Sequence, residues 1–169
     1  MFAKLKKTKF RFLLRHALLL LILFILQSEV LPWLGRSAMP SLLAVAAAGV
    51  AHKEGPVTGA VFGLFAGMLT DSAMGRPLLT FTLLLPAAGL ALGILAETWL
   101  SRSLPAYLAC CGACTLLCGA VGMFSPLFFY GASLWSLLLT LLLQLITSLI
   151  AALILYPILQ RLPGTERRR

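Results

Sequence analysis

The sequence predicts an all-α, polytopic membrane bundle of six transmembrane helices with both termini cytoplasmic, and three observations lead there. Of 169 residues, 60% are hydrophobic and only 11% charged, whereas a soluble domain carries charge at roughly a quarter of its positions. The apolar residues come in long blocks, each near the ~20 residues that span a bilayer as a helix. The net charge of +9 is concentrated at the two ends of the chain. Lys4, Lys6, Lys7, Lys9, Arg11 and Arg15 lie in MFAKLKKTKFRFLLRH, and Arg161, Arg167, Arg168 and Arg169 in QRLPGTERRR. Basic clusters flanking apolar spans orient a membrane protein and meet anionic headgroups. No basic face is interleaved with aromatics, so the expected partner is the lipid bilayer and not nucleic acid.

The spans follow in order. The first runs over 12–34, where LLLLILFIL follows the basic segment 1–11; it reads as a retained helix, since no small-x-small cleavage site closes it. The second, 40–51, is short: SLLAVAAAGVA supplies about 16 Å of helix and is expected to tilt inward or stop short of a full crossing. The third covers 56–74, the fourth 78–97, the fifth 104–124 and the sixth 134–159. HKEGP, MGRP, SRSLP and SPLFFYG punctuate them as turns. Pro40, Pro56, Pro77 and Pro105 fall near helix starts, where a missing amide hydrogen costs nothing. Pro86 lies inside the fourth span and should kink it, with neighbouring helices satisfying the freed carbonyl. The whole chain, 1–169, forms one integral-membrane domain, with a basic tail over 160–169.

Orientation follows from Lys and Arg on alternate sides. With both termini cytoplasmic, the inner side holds the amino cluster, Lys53, Arg102 and the carboxyl cluster, while the outer side holds Arg36 and Arg76. That asymmetry is a positive-inside signal for a multi-pass protein of the bacterial cytoplasmic (inner) membrane.

A repeated frame organises the middle of the chain. GLFAGMLTD (63–71) and GLALGILAE (89–97) both read G-L-x-x-G-x-L-x-acid. Four-residue spacing places Gly55, Gly59, Gly63, Gly67 and Asp71 on nearly one helix face, and Gly89 and Gly93 likewise in the next helix. Glycine lets another helix backbone approach closely in lipid, so these six glycines are expected to be helix-packing positions. A carboxylate costs about 2.5–3.5 kcal/mol at mid-bilayer and little at the interface. Glu97 falls near the inner interface beside Arg102, where an ion pair accounts for it. Asp71 lies near the outer leaflet and should point into the protein, in a polar cluster of Glu29, Arg36, Asp71 and Arg76.

Catalysis is not expected. His16 and His52 fall at the cytoplasmic boundary without an H-E-x-x-H frame, and read as interfacial residues. Cys110, Cys111, Cys114 and Cys118 all lie in the apolar run CCGACTLLC, where small apolar packing is the plainer role than metal or redox chemistry. No metal site and no cofactor is expected. Trp33, Phe128, Phe129, Tyr130 and Trp135 gather at the outer end and read as an aromatic belt.

The order of these elements carries a resemblance. The stretch from MPSLLAVAAAGVAHKEGPVTGAVFGLFAGMLTDSAMGRPLL to the fourth span resembles the rod-shape-determining protein MreD family: a proline-led short helix (Pro40), Gly55, Gly59, Gly63, Gly67 and Asp71, the Gly75 turn, and Gly89 in the next helix. Pro86, CCGACTLLC and Glu97 depart from that pattern. The resemblance implies a non-catalytic scaffold or regulator of the elongasome, which directs cell shape and lateral peptidoglycan synthesis in rod-shaped bacteria. The implied partner is an MreC-like bitopic protein, beside a RodA-type synthase with its transpeptidase, and MreB indirectly. The alternative is a substrate-binding S-component of an energy-coupling-factor vitamin transporter, with the same outer cluster as its pocket. Against it, the first helix offers only Ala17 where S-components carry an Ala-x-x-x-Ala docking stripe.

Overall fold

Short side chains make a thin helix, and a thin helix can be surrounded. LLAVAAAGVA forms the first three turns of α2 (Leu42–Glu54), and every residue from Leu42 to Ala51 is buried. In this computed structural model, which describes residues 2–30, 41–74, 80–98, 103–129 and 133–161, the other helices pack around it. They are α1 (Phe2–Ile25, continued by a π-helical turn Leu26–Val30), α3 (Pro56–Met74), α4 (Thr80–Thr98), α5 (Leu104–Phe129) and α6 (Leu134–Arg161). The described residues contain no strand. Around α2 the neighbours run α1, α3, α4, α5, α6, with each packed on the next and the seam of the ring between α6 and α1.

Three helices are long and apolar enough to cross a membrane: Thr80–Thr98, Leu104–Met123 and Leu134–Leu159, with Leu14–Ser28 a shorter apolar segment. α3 matches the expected third span at both ends, and α5 and α6 run on past theirs. Charge, not apolarity, governed the expected start of the first helix; in the structure α1 begins at Phe2, within the basic segment. α2 begins two residues beyond Pro40 and runs through His52 and Lys53, about 20 Å in all. This helix lies among its neighbours, with Leu42 to Ala51 all buried.

Close approach is concentrated in the α3–α4 hairpin. A Cβ on Gly63 would lie 2.6 Å from the Leu85 carbonyl oxygen, and one on Gly89 would lie 2.6 Å from that of Gly59. Gly67 abuts the Phe81 carbonyl and Gly93 abuts Pro56. Moving up α3 therefore moves down α4, the register of two antiparallel helices in backbone contact. Gly59 also abuts Ala51 of α2, so one residue serves two interfaces. Gly55 has φ +96°, a conformation side chains rarely adopt, and it turns α2 directly into α3.

Serine and threonine close their hydroxyls locally. Ser28, Thr70, Ser72, Thr98, Thr115, Thr140 and Thr147 each donate to the carbonyl four residues back at 2.7–2.9 Å. Such back-bonding leaves no bare hydroxyl facing hydrocarbon. The four cysteines are free and buried, and the Cys111 thiol donates to the Val45 carbonyl at 3.7 Å. They pack in the core as small apolar side chains. A maleimide should therefore label the native protein in mild detergent slowly, and all four thiols rapidly after denaturation in SDS. Rapid native labelling, followed by mass spectrometry, would contradict this packing.

Candidate functional site

Two polar sites lie at opposite ends of the bundle, and both grow out of helix termini. A helix leaves its first amides without intrahelical partners, and in an apolar bundle water is not there to take them. α4 solves this with Asp71, which reaches across from the last turn of α3. Its Oδ1 accepts from the Phe81 amide at 3.2 Å, and its Oδ2 accepts from the Thr82 amide at 2.8 Å and the Thr82 hydroxyl at 2.7 Å. The carboxylate is 3% exposed, so it points into the protein as the sequence predicts. The positive end of the α4 dipole favours the negative charge there.

The start of α2 is treated in the same way. Gln27 Oε1 of the π-helical turn accepts from the Leu43 amide at 3.1 Å, and Ser148 Oγ of α6 accepts from the Ser41 amide at 3.0 Å. The N-termini of α2 and α4 thus both receive side-chain acceptors from neighbouring helices. The sequence signal for Gln27 and Ser148 is a polar residue in an apolar run, and it does not say which amide each will meet.

Of the expected outer cluster, the structure describes Asp71 alone in full. Arg36 and Arg76 lie outside the described residues, as does the side chain of Glu29. The contacts of Asp71 recorded above are to backbone amides and a hydroxyl. Of the expected aromatic belt, Phe128 and Trp135 are strongly exposed, while Trp33, Tyr130 and the Phe129 side chain lie outside the described residues.

The opposite end gathers the residues read as interfacial. His16 of α1 is buried instead, and its Nε2 lies 3.1 Å from Glu54 Oε1, with the side chains 10% and 2% exposed. The second Glu54 oxygen is buried without a hydrogen-bond partner among the described residues. His16 also sets its ring edge-on to Phe62 of α3. His52 stacks edge-on with Tyr107, which tilts against Tyr156 and donates to the Ala152 carbonyl at 3.2 Å. Lys53 donates to the Leu159 carbonyl near the end of α6, a cation at a helix C-terminus. Burial pulls its ammonium below the ordinary lysine range, and the neighbouring Glu54 carboxylate opposes that shift. Glu97 is exposed and lies against Gly55, where a Cβ would come 2.8 Å from its Oε1. Its expected partner Arg102 lies outside the described residues.

The repeated glycine-acid frame therefore yields two different sites. α3 and α4 run in opposite directions, so Asp71 reaches one end of the bundle and Glu97 the other. Chemically, the Asp71 end is a saturated carboxylate that fastens two helices. The His16–Glu54 end is a buried imidazole–carboxylate contact beside further titratable groups, joining α1 to the α2–α3 turn. Compared with family models, curated proteins and solved structures, the chain matches none.

Proposed function

We propose that this chain is a non-catalytic, six-span scaffold of the bacterial cell-elongation machinery, of the MreD type it resembles, with both termini on the cytoplasmic face of the inner membrane. The observation that supports this reading most is how the Gly-x-x-x-Gly-x-x-x-Asp frame is used. Its glycines go into the α3–α4 backbone contact, and both oxygens of its acid go to the N-terminus of α4. A frame consumed by internal packing makes a rigid body whose outer helix faces serve as the contact surface.

The same observation weighs against the S-component reading, in which Asp71 would face a ligand. Ala17 of α1 is exposed, but its exposed neighbours Leu14, Leu18 and Leu21 are bulky and do not form a small-residue docking stripe. In this reading an MreC-like bitopic protein lies against the bundle, with a RodA-type synthase and its transpeptidase beyond and MreB reached indirectly. His16, Lys53, Glu54 and Glu97 fall at the cytoplasmic end, and Asp71 at the periplasmic end.

Affinity purification of the tagged full chain in mild detergent tests the proposal. MreC-like and synthase subunits should travel with it. Recovery of paired ATPases with a membrane coupling subunit would instead establish the transporter reading and overturn this one.

A further inference from the structure

We propose that His16 and Glu54 form a proton-binding latch that holds α1 against the turn between α2 and α3. Positions 16, 20, 23 and 27 share one face of α1. Leu20 and Leu23 are its buried apolar contacts, and His16 and Gln27 are its polar contacts at either end. The opposite face, with Leu14, Leu18, Leu21, Ile22 and Ile25, is exposed. α1 packs mainly on α2 and α3 and borders the seam of the ring. Among the described side chains its attachment centres on this stripe, with Leu19 and Phe24 packed against the core at its flanks.

At the His16 end that stripe is electrostatic. The imidazole lies 3.1 Å from a carboxylate whose side chain is 2% exposed and whose other oxygen is buried without a hydrogen bond to any described residue. A buried ionised carboxylate is costly unless a positive charge or strong donor accompanies it. An imidazolium at His16 supplies that charge, and a neutral imidazole does not. The other described titratable and charged groups facing this corner are Arg15 of α1, exposed; His52 and Lys53 of α2; Glu97 of α4, exposed beside Gly55; Tyr107 of α5; and Tyr156 of α6. α3 contributes the Phe62 ring edge. Lys53 adds positive charge but also binds the Leu159 carbonyl, which ties it to α6.

The ligand is a proton. Docked α1 holds it on the His16 ring beside Glu54; released α1 wets both groups and sets it free. Release of α1 is thus favoured as pH rises. For one proton the opening equilibrium changes at most about tenfold per pH unit. The device is independent of which partner the bundle contacts.

Hydrogen exchange of the full-length protein in micelles, across roughly pH 6–9 around the ordinary imidazole range, tests this. Rates are corrected for the intrinsic pH dependence of exchange. In the wild type, protection of α1 should fall with rising pH by up to that tenfold per unit, while α3 and α4 stay protected. In His16→Gln and Glu54→Gln the α1 slope should vanish. A flat wild-type profile, or an unchanged slope in Glu54→Gln, would overturn the latch. Should either variant fail to fold, nuclear magnetic resonance of histidine-labelled wild type decides. With only two histidines in the chain, an imidazolium at His16 that disappears together with α1 protection supports the latch. Charge loss without loss of protection sinks it.

Discussion

Replacing Asp71 by leucine is expected to cost the purified protein about 3–5 kcal/mol of stability and to reduce its abundance in the membrane severely. The reason is the number of groups left behind. Asp71 accepts from two amides and one hydroxyl, all at a buried helix end. Each buried donor without a partner costs about 1–3 kcal/mol, and leucine offers none of them anything. It also removes the charge that complements the α4 dipole. Asp71→Asn keeps one acceptor oxygen and should lose about half as much. Thr82→Val removes one of the three donors, so its loss should shrink when made on the Asp71→Asn background. Thermal unfolding in mild detergent, read as a double-mutant cycle, measures all of these. Stability of Asp71→Leu within about 1 kcal/mol of wild type, the value of one ordinary hydrogen bond, would mean that α4 does not depend on this cap.

The second large effect is expected from the glycine face. In Gly63→Ala the new methyl would lie 2.6 Å from the Leu85 carbonyl oxygen, and in Gly67→Ala it would strike the Phe81 carbonyl. Both neighbours are backbone, which cannot swing aside as the tip of a side chain can, so the helices must separate. Overpacking of this kind costs about 1–3 kcal/mol per site. Because the two sites lie one turn apart on the same interface, the double variant should cost less than the sum: the first alanine already opens the gap. Gly122→Ala is the control, since nothing lies within 4 Å of the added methyl. There the better helix propensity of alanine should stabilise by about 0.5–1 kcal/mol. Unfolding curves that rank Gly122→Ala level with Gly63→Ala would sink the backbone-contact account.

These outcomes bear on the proposed scaffold in one respect. A hairpin held by backbone contact and a saturated carboxylate has few alternative packings, so it presents its exposed faces in a fixed arrangement. α1 is attached differently, by a stripe with the His16–Glu54 contact at one end. The rigid and the releasable parts of the bundle are therefore distinct elements, and the two sets of variants separate them.

Several features were legible in the residues. Helix content and helix order follow from the length of the apolar blocks, because a backbone in lipid must bond to itself. The G-x-x-x-G spacing located the close contacts, since only glycine admits a second backbone. The inward direction of Asp71 followed from the cost of a carboxylate in hydrocarbon. Its partners did not follow. The sequence suggested nearby arginines, but the first claim on its oxygens comes from the amides of α4, which carry no side-chain signature. Nor was the coverage of α2 readable, beyond its small residues, because encirclement depends on five other helices.

His16 shows most clearly where the sequence stops. A lone histidine after a basic segment has the look of a boundary residue, and Glu54 lies thirty-eight residues further along the chain. Local pattern reports what each segment can do by itself: span, turn, approach closely, or avoid lipid. The sequence alone therefore determined the helices, their breaks and the glycine face. Tertiary structure decided which acid meets which donor, since that depends on register between helices far apart in the chain. It separated two acids that share one frame, closing Asp71 into a helix cap and leaving Glu97 exposed, because antiparallel packing sends the two ends of that frame in opposite directions.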